Sequence, residues 1–398
     1  MKSNYKTIGD IVECIDIRNT NNSVDLLLGV SINKCFIHSV ANTIGTDLSK
    51  YKIIHKDDFA VSLMQVSRDA KIPIACLKDY EIAIMSPAYS IFRVKNTKEI
   101  LPDYLAMWFM RSEFDREAAF IAVGGVRGSM PWEEFCRIKV FVPTYEDQLN
   151  IVGNYKVITD RIVLKQQIND NLEAQAHAYF KAVFSDFYGV PEEKIIETAD
   201  GTFPMNWSFA TVGDYCLDNF ANLTKLDAFD KILYLDTGSI TRNYIDGIQE
   251  LSINGGEIPS RAKRRVYNND IVYSTVRPNL RHYGLIKNPP ENFIASTGFA
   301  VLHNNGGKVS NELIYMWLTK ESVLEYLQAI AENSVSTYPS INSSDLLAVK
   351  ITIPDDLTLA RANAVLKTIF DSITENNLQI RCLENSKDVL LSKLFSSC

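Results

Sequence analysis

PTYEDQLNIVGNYKVITDRIVLKQQINDNLEAQAHAYFKAVFS, residues 143–185, falls on PDDLTLARANAVLKTIFDSITENNLQIRCLENSKDVLLSKLFS, residues 354–396, at a constant shift of 211. Pro143 meets Pro354, Ile158 meets Ile369, Asp160 meets Asp371, Glu173 meets Glu384 and Phe184 meets Phe395. In the second copy apolar residues fall at Leu366, Ile369, Ile373, Ile380, Leu383, Leu390 and Leu394, interrupted by Asn376 and Lys387. That is the alternating three-and-four spacing of a coiled-coil seam. The first copy repeats the phase with Ile151, Tyr155, Ile158, Ile162, Leu172, Ala176, Tyr179 and Val183, and with the polar Lys165 and Asn169. Lys165 and Asn376 occupy the same place in the repeat, where polar seam residues set register and partner. Helices of about 40 residues span roughly 60 Å at 1.5 Å per residue. Their equal length and phase predict two helices paired antiparallel, rather than each packing on its own domain.

Upstream the repeat continues with small insertions. Met107-Trp108 matches Met316-Trp317 and Ile8-Gly9-Asp10 matches Val212-Gly213-Asp214. In each copy, β-branched runs (Phe59 to Val66, Ile82 to Val94; Asp270 to Val276, Phe293 to Leu302) alternate with Gly, Pro and Asn turns. This pattern predicts a mixed α/β domain. An apolar helix follows (Tyr104 to Phe120; Glu312 to Ile330), then a loop, then a strand ending in proline (Ile138 to Pro143; Val349 to Pro354). The expected fold is two tandem globular α/β domains, each followed by a long helix, in a pseudo-two-fold dumbbell. The expected boundaries are domain 1 at 1–143, a central helix at 144–188, domain 2 at 189–354 and a C-terminal helix at 355–398.

With 398 residues, 46% hydrophobic and 22% charged, the chain is globular and too long for one core. Neither a run of apolar residues long enough to span a bilayer nor an apolar N-terminal leader is present, so a cytoplasmic protein with no membrane partner is expected. The seven cysteines form no CxxC pair and read as reduced, mostly buried thiols. No motif for a nucleophile elbow, a zinc protease or a phosphate loop occurs. Gly124-Gly125-Val126-Arg127-Gly128 follows a helix, where a nucleotide loop would follow a strand. Asn288-Pro289-Pro290-Glu291 lacks the aromatic fourth residue needed to stack an extruded base and reads as a turn. The five histidines are scattered, so neither a metal site nor a catalytic centre is expected.

A net charge of −7 argues against a binder held to polyanions by total charge, so any nucleic-acid contact must be local. Residues 261–287 hold Arg261, Lys263, Arg264, Arg265, Arg277, Arg281 and Lys287 against the single acid Asp270, which predicts a positive face. Within it Arg277, Asn279, Arg281 and His282 suit base edges, and Lys263, Arg264 and Arg265 suit phosphates. The corresponding stretch of the first copy is weaker. It offers Gln65, Arg68 and Lys71 after the strand and Lys50, Lys52 and Lys56 before it.

Taken together, the chain resembles the specificity subunits of type I restriction-modification systems over nearly its whole length. The resemblance rests on the repeat of variable domain plus long helix and on Tyr234–Ile240 and Asp270–Leu280. It rests also on Gly125-Val126-Arg127-Gly128 followed by Trp132, and on Pro143 with Glu146-Asp147-Gln148. The second copy departs from the pattern after Pro354, where Leu357-Thr358-Leu359 replaces the acid-Gln pair. The resemblance implies a non-catalytic adaptor whose two target recognition domains each read one half of a split double-stranded DNA sequence, the helices fixing the gap. It implies two methylation subunits as partners, with restriction subunits able to join. The chain itself would hold no cofactor, and S-adenosylmethionine would be bound by the methylation subunits. Arg127 is the expected DNA-backbone contact in the first half, with Ser336 and Thr337 in the equivalent loop of the second. The competing readings are the specificity subunit of a related fused nuclease-methyltransferase system and a coiled-coil scaffold without DNA binding.

Overall fold

A computed structural model describes residues 4–39, 46–64, 66–123, 128–198, 201–224, 227–253, 258–334 and 338–396. The chain divides into two compact units, Met1–Val163 with Cys382–Cys398, and Leu164–Arg381, so the division falls within both long helices.

In the first unit, Val12–Ile15, Ser90–Val94, Phe59–Val61 and Ile74–Cys76 form one four-stranded antiparallel sheet in that order. Phe36–His38, Leu27–Val30, Ile82–Met85 and Lys52–His55 form a second sheet, with Leu27–Val30 parallel to Ile82–Met85. The second unit repeats this strand by strand. One sheet runs Cys216–Asp218, Phe299–Asn304, Asp270–Ser274, Tyr283–Ile286; the other runs Gln249–Ser252, Lys231–Leu235, Phe293–Ser296, Ala262–Arg265, again with its two central strands parallel. In each unit a terminal strand pairs with the strand that precedes the long helix, Tyr5–Thr7 with Lys139–Phe141 and Ser208–Thr211 with Lys350–Ile353.

The longest β run of each copy breaks where the chain crosses from one sheet to the other. Ile82–Met85 and Ser90–Val94 are separated by the turn at 86–89, and Phe293–Ser296 and Phe299–Asn304 by Thr297-Gly298. The run expected over Phe59 to Val66 is a strand only over Phe59–Val61, and Val66 opens the short helix Val66–Asp69.

The two copies also share a buried carboxylate. Asp58 accepts the His55 N–H at 3.0 Å and two N–H groups of Arg93, both at 2.9 Å. Asp270 accepts the Tyr267 N–H at 2.7 Å and meets Nδ1 of His303 at 2.7 Å. Residues 57 and 269, just before each, are left-handed, both at φ 66°. Burial pushes the Asp270 carboxyl upward, against the Tyr267 amide and His303, which pull it down.

The apolar helix expected after the sheets is two helices in each copy, Pro102–Phe109 with Ser112–Ala122 and Asn311–Leu318 with Glu321–Glu332. Arg111 and Lys320 are extended at the breaks. Each folds its charge back over the preceding tryptophan, Arg111 on Trp108 at 4.2 Å and Lys320 on Trp317 at 5.5 Å. Such cation–aromatic contacts reward the break.

The long helices are Tyr145–Phe184 and Asp356–Ser396. Their starts are equivalent despite the sequence departure. Thr144 caps the Asp147 amide at 3.2 Å, and Asp355 caps the Thr358 amide at 3.0 Å, so the same two residue types stand in opposite order. Gln148, fully buried, bonds the Leu101 amide and the Glu99 and Pro143 carbonyls; its counterpart is the buried Leu359.

Position 155 faces 388 and position 165 faces 376, so the helices run antiparallel. Ile162, Ala176, Leu366, Ile373 and Ile380 are buried; Ile151, Tyr155, Ile158, Leu172, Ile369 and Leu383 are half-buried. The repeat-equivalent Lys165 and Asn376 touch, Nζ to Oδ1 at 3.1 Å. Asn376 donates to Asn169 at 2.9 Å and Asn169 to Asn377 at 2.8 Å, making a polar layer in the seam.

The same helices are also core for the domains, so pairing and domain packing occur together. Phe180 and Phe184 pack on Trp317 with ring centroids 4.9 and 5.8 Å away, and Leu366, Phe370 and Ile373 share that core. In the first unit Ile151, Val152 and Leu391 pack against the core around Phe92, Phe109 and Phe135. A fully buried side chain of this size contributes about 1.5–3 kcal/mol. The apolar stripe is therefore fixed from two sides.

Candidate nucleic-acid interface

The expected reading segment is a tight turn between the strands Asp270–Ser274 and Tyr283–Ile286. Arg277 and Arg281 are both left-handed (φ 50° and 59°) and bracket the one-turn helix Pro278–Leu280. For residues with a Cβ this is a strained conformation that persists only when surroundings fix it. Here they do. The Arg277 N–H donates to the Pro339 carbonyl at 2.9 Å, and the Leu280 N–H donates back to the Arg277 carbonyl at 2.9 Å. The Asn279 N–H donates to Gln328 Oε1 at 3.1 Å.

These bonds join two segments that are far apart in sequence. Val276 bridges Ser340, and the Ile341 N–H donates to the Thr275 carbonyl at 2.8 Å. Residues 339–341 are thereby anchored beside Arg277; Ser336 and Thr337 lie outside the described residues. The first copy builds the same junction. The Met130 N–H donates to the Leu63 carbonyl at 2.9 Å, and Gly128, at φ 73°, lies so close to Ser67 that a Cβ would sit 2.3 Å from its hydroxyl. A side chain there would be strained and would have to displace the Ser67 hydroxyl. Gln65 and Arg127 fall outside the described residues; Arg68 is exposed and paired with its neighbour Asp69 at 2.7 Å, and Lys71 is exposed.

The basic residues at 261–287 do not form one positive face, because the fold ties up several of their charges. Lys287 is 5% exposed and holds Glu312 at 2.8 Å and Asp371 at 2.5 Å. Arg265 pairs with Asp227 at 2.7 Å and lies over Phe229 and Tyr267. Arg264 donates to Asn222 at 2.9 Å. Arg281 donates to both oxygens of Glu321, at 2.8 and 2.9 Å. It lines a cleft of about 460 Å³ with Asp170, Glu173, His177, Arg242 and Glu321. Burial pushes the Glu173 carboxyl up and the His177 imidazole down there. Three carboxyl groups make that cleft a poor place for a phosphate. His282 sets its Nδ1 on the Ile240 carbonyl at 2.7 Å and near the Thr241 hydroxyl at 3.2 Å.

Arg277, Asn279, Arg261 and Lys263 are exposed, and none of these three cations makes an ion pair among the described residues. The Arg277 guanidinium lies 5.4 Å from the ring centre of Tyr338, which is 59% exposed. Lys52 of the first copy is drawn inward to the Tyr89 carbonyl at 2.9 Å, Lys56 pairs with Glu81 at 2.6 Å, and Lys50 lies 3.6 Å from Asp47. Tyr338, Gln328 and Arg242 were missed in the sequence. Tyr338 adjoins the expected Ser336-Thr337 pair, but nothing local shows that this loop meets residue 277.

Among the described residues no group of His, Cys, Asp and Glu could hold a metal, and no helix is long and apolar enough to cross a membrane. The doubled α/β domain with paired helices is the fold of a restriction-system specificity subunit. The S subunit of a type I restriction-modification system from M. genitalium superposes with a TM-score of 0.55 over 98% of this chain and 95% of that one, at 12% identity.

In sequence, the HindI type I restriction enzyme specificity subunit of Haemophilus influenzae is 25% identical over 190 residues, 48% of this chain and 41% of that protein. The MjaIX type I specificity subunit of Methanocaldococcus jannaschii is 22% identical over 308 residues, 74% of this chain and 68% of that protein. The match thus spans less than half of the first relative's length and about two thirds of the second's. No family model matches the chain. Sequence and fold comparisons both return the class that the repeat resembles.

Proposed function

We propose that this chain is the DNA-specificity subunit of a type I restriction-modification complex. It is a non-catalytic adaptor whose two α/β domains each read one half of a split target. The observation that carries the reading is the duplicated junction in which the loop after a central strand meets the loop that follows the split apolar helix. Each domain presents that junction once, built on the same strand order. In the second domain it offers Arg277 and Asn279 at the surface, side chains that suit guanine and adenine edges. Exposed Lys263 and Arg261 on or beside an edge strand suit phosphates, which position without specifying.

Two methylation subunits dock on the paired helices and bring S-adenosylmethionine; restriction subunits join that complex. The test is the adenine-methylation map of the source cell with this gene intact and deleted. Loss of one split motif, methylated on both strands, is the expected result. An unchanged map in a cell that expresses the gene contradicts it.

A further inference from the structure

We infer that Tyr338 is a positioning residue that presents Arg277 to a guanine in the second half-site; this rests on the proposed DNA-specificity function. Arg281, Arg264 and Arg265 have partners that hold their guanidinium groups against the protein. Arg277 is exposed, and its partner is a ring face 5.4 Å away. A guanidinium whose partner is an aromatic ring rather than a carboxylate keeps its N–H donors available to another acceptor. Those donors match the N7 and O6 acceptors of guanine in the major groove. A carboxylate partner would consume the same donors, as Glu321 does for Arg281.

The backbone supports the same role. Arg277 is held left-handed by the Pro339 carbonyl, and Pro339 follows Tyr338 directly, so one short segment fixes both the main chain and the side chain of Arg277. The Val276–Ser340 bridge and the Ile341 bond to Thr275 prevent that segment from sliding. Tyr338 is mostly exposed, so its ring fills no core, and it stands against the guanidinium.

The experiment places Arg277→Lys, Tyr338→Leu and Tyr338→Phe separately at the gene's own locus and maps adenine methylation. Arg277→Lys keeps the charge and loses the fork. It is expected to relax one position of the motif, a guanine, by about tenfold or more. Tyr338→Leu is expected to relax the same position, and Tyr338→Phe, which keeps the ring face, to leave the motif intact. An unchanged motif for Tyr338→Leu overturns the inference, as does relaxation at a position other than that of Arg277→Lys. Loss of all methylation with Tyr338→Leu, while Arg277→Lys relaxes one base, also overturns it, because Tyr338 would then support the fold rather than the arginine. If deletion of the gene removes no split motif, the function itself fails, and the inference with it.

Discussion

In the first domain Lys78 lies 2.9 Å from Asp103, with side chains 35% and 52% exposed; in the second, Lys287 lies 2.8 Å from Glu312, and each is 5% exposed. The two pairs occupy equivalent places, between the end of the last strand of one sheet and the first turn of the following helix. Each lysine meets a second carboxylate at 2.5 Å, Asp57 for Lys78 and Asp371 of the C-terminal helix for Lys287, but only the Lys287–Glu312 pair is covered. The comparison teaches that the repeat transmits an interaction, while its energetic weight is set by what packs over it. An exposed pair is worth about 0–1 kcal/mol, whereas removing one partner of a buried pair costs about 3–5 kcal/mol, because a charge is left desolvated.

The largest expected effect follows from this. Lys287→Ala should destabilise the second domain by about 3–5 kcal/mol, and Lys78→Ala the first by less than about 1 kcal/mol. Hydrogen exchange in the helices Asn311–Leu318 and Pro102–Phe109 reads the two domains separately. Equal losses would break the comparison.

A smaller effect is expected at the polar layer. Lys165→Leu with Asn376→Leu removes the bond between the repeat-equivalent positions and should raise stability by roughly 1–2 kcal/mol, since apolar replacements of buried polar groups are often stabilising. Asn169 would keep its bond to Asn377, while its Oδ1, which loses the Asn376 donor, would turn to water at this half-buried position. Denaturant unfolding measures the gain, and a loss of stability would show that the layer holds the helices together rather than only in register.

The smallest effect compares the helix starts. Asp355→Ala should cost about 1 kcal/mol, as lost caps do. Hydrogen bonds from Thr358 hold the Asp355 carboxyl below its usual value of 3.8, so its contribution is present above that pH and is lost as pH falls through the lower folded value. The cost of Asp355→Ala should accordingly shrink in acid, and a cost that grows on acidification would reverse the assigned sign.

How much of this was legible in the sequence depended on the length of the pattern. The long helices were readable because the seam phase persists over forty residues and occurs twice, and even the swapped Thr144/Asp147 and Asp355/Thr358 caps leave the start in place. The split of the apolar helix at Arg111 and Lys320 was not, because both residues favour helix and the break is rewarded by tryptophans three residues earlier. The count of positive charges at 261–287 misled for a related reason. Lys287, Arg265 and Arg281 find carboxylates at 371, 227 and 321, which no local window contains. Arg277 was found by residue type, whereas its partner Tyr338 required the bridge between Val276 and Ser340.

The central claim is that the two domains read separate halves of one target. It is tested most directly by mapping adenine methylation in the source cell with Arg277→Ala and Asn279→Ala combined in this chain. The account predicts a motif altered in one half only, with the other half and the gap between them unchanged. Altered bases in both halves, or a changed gap, would contradict it.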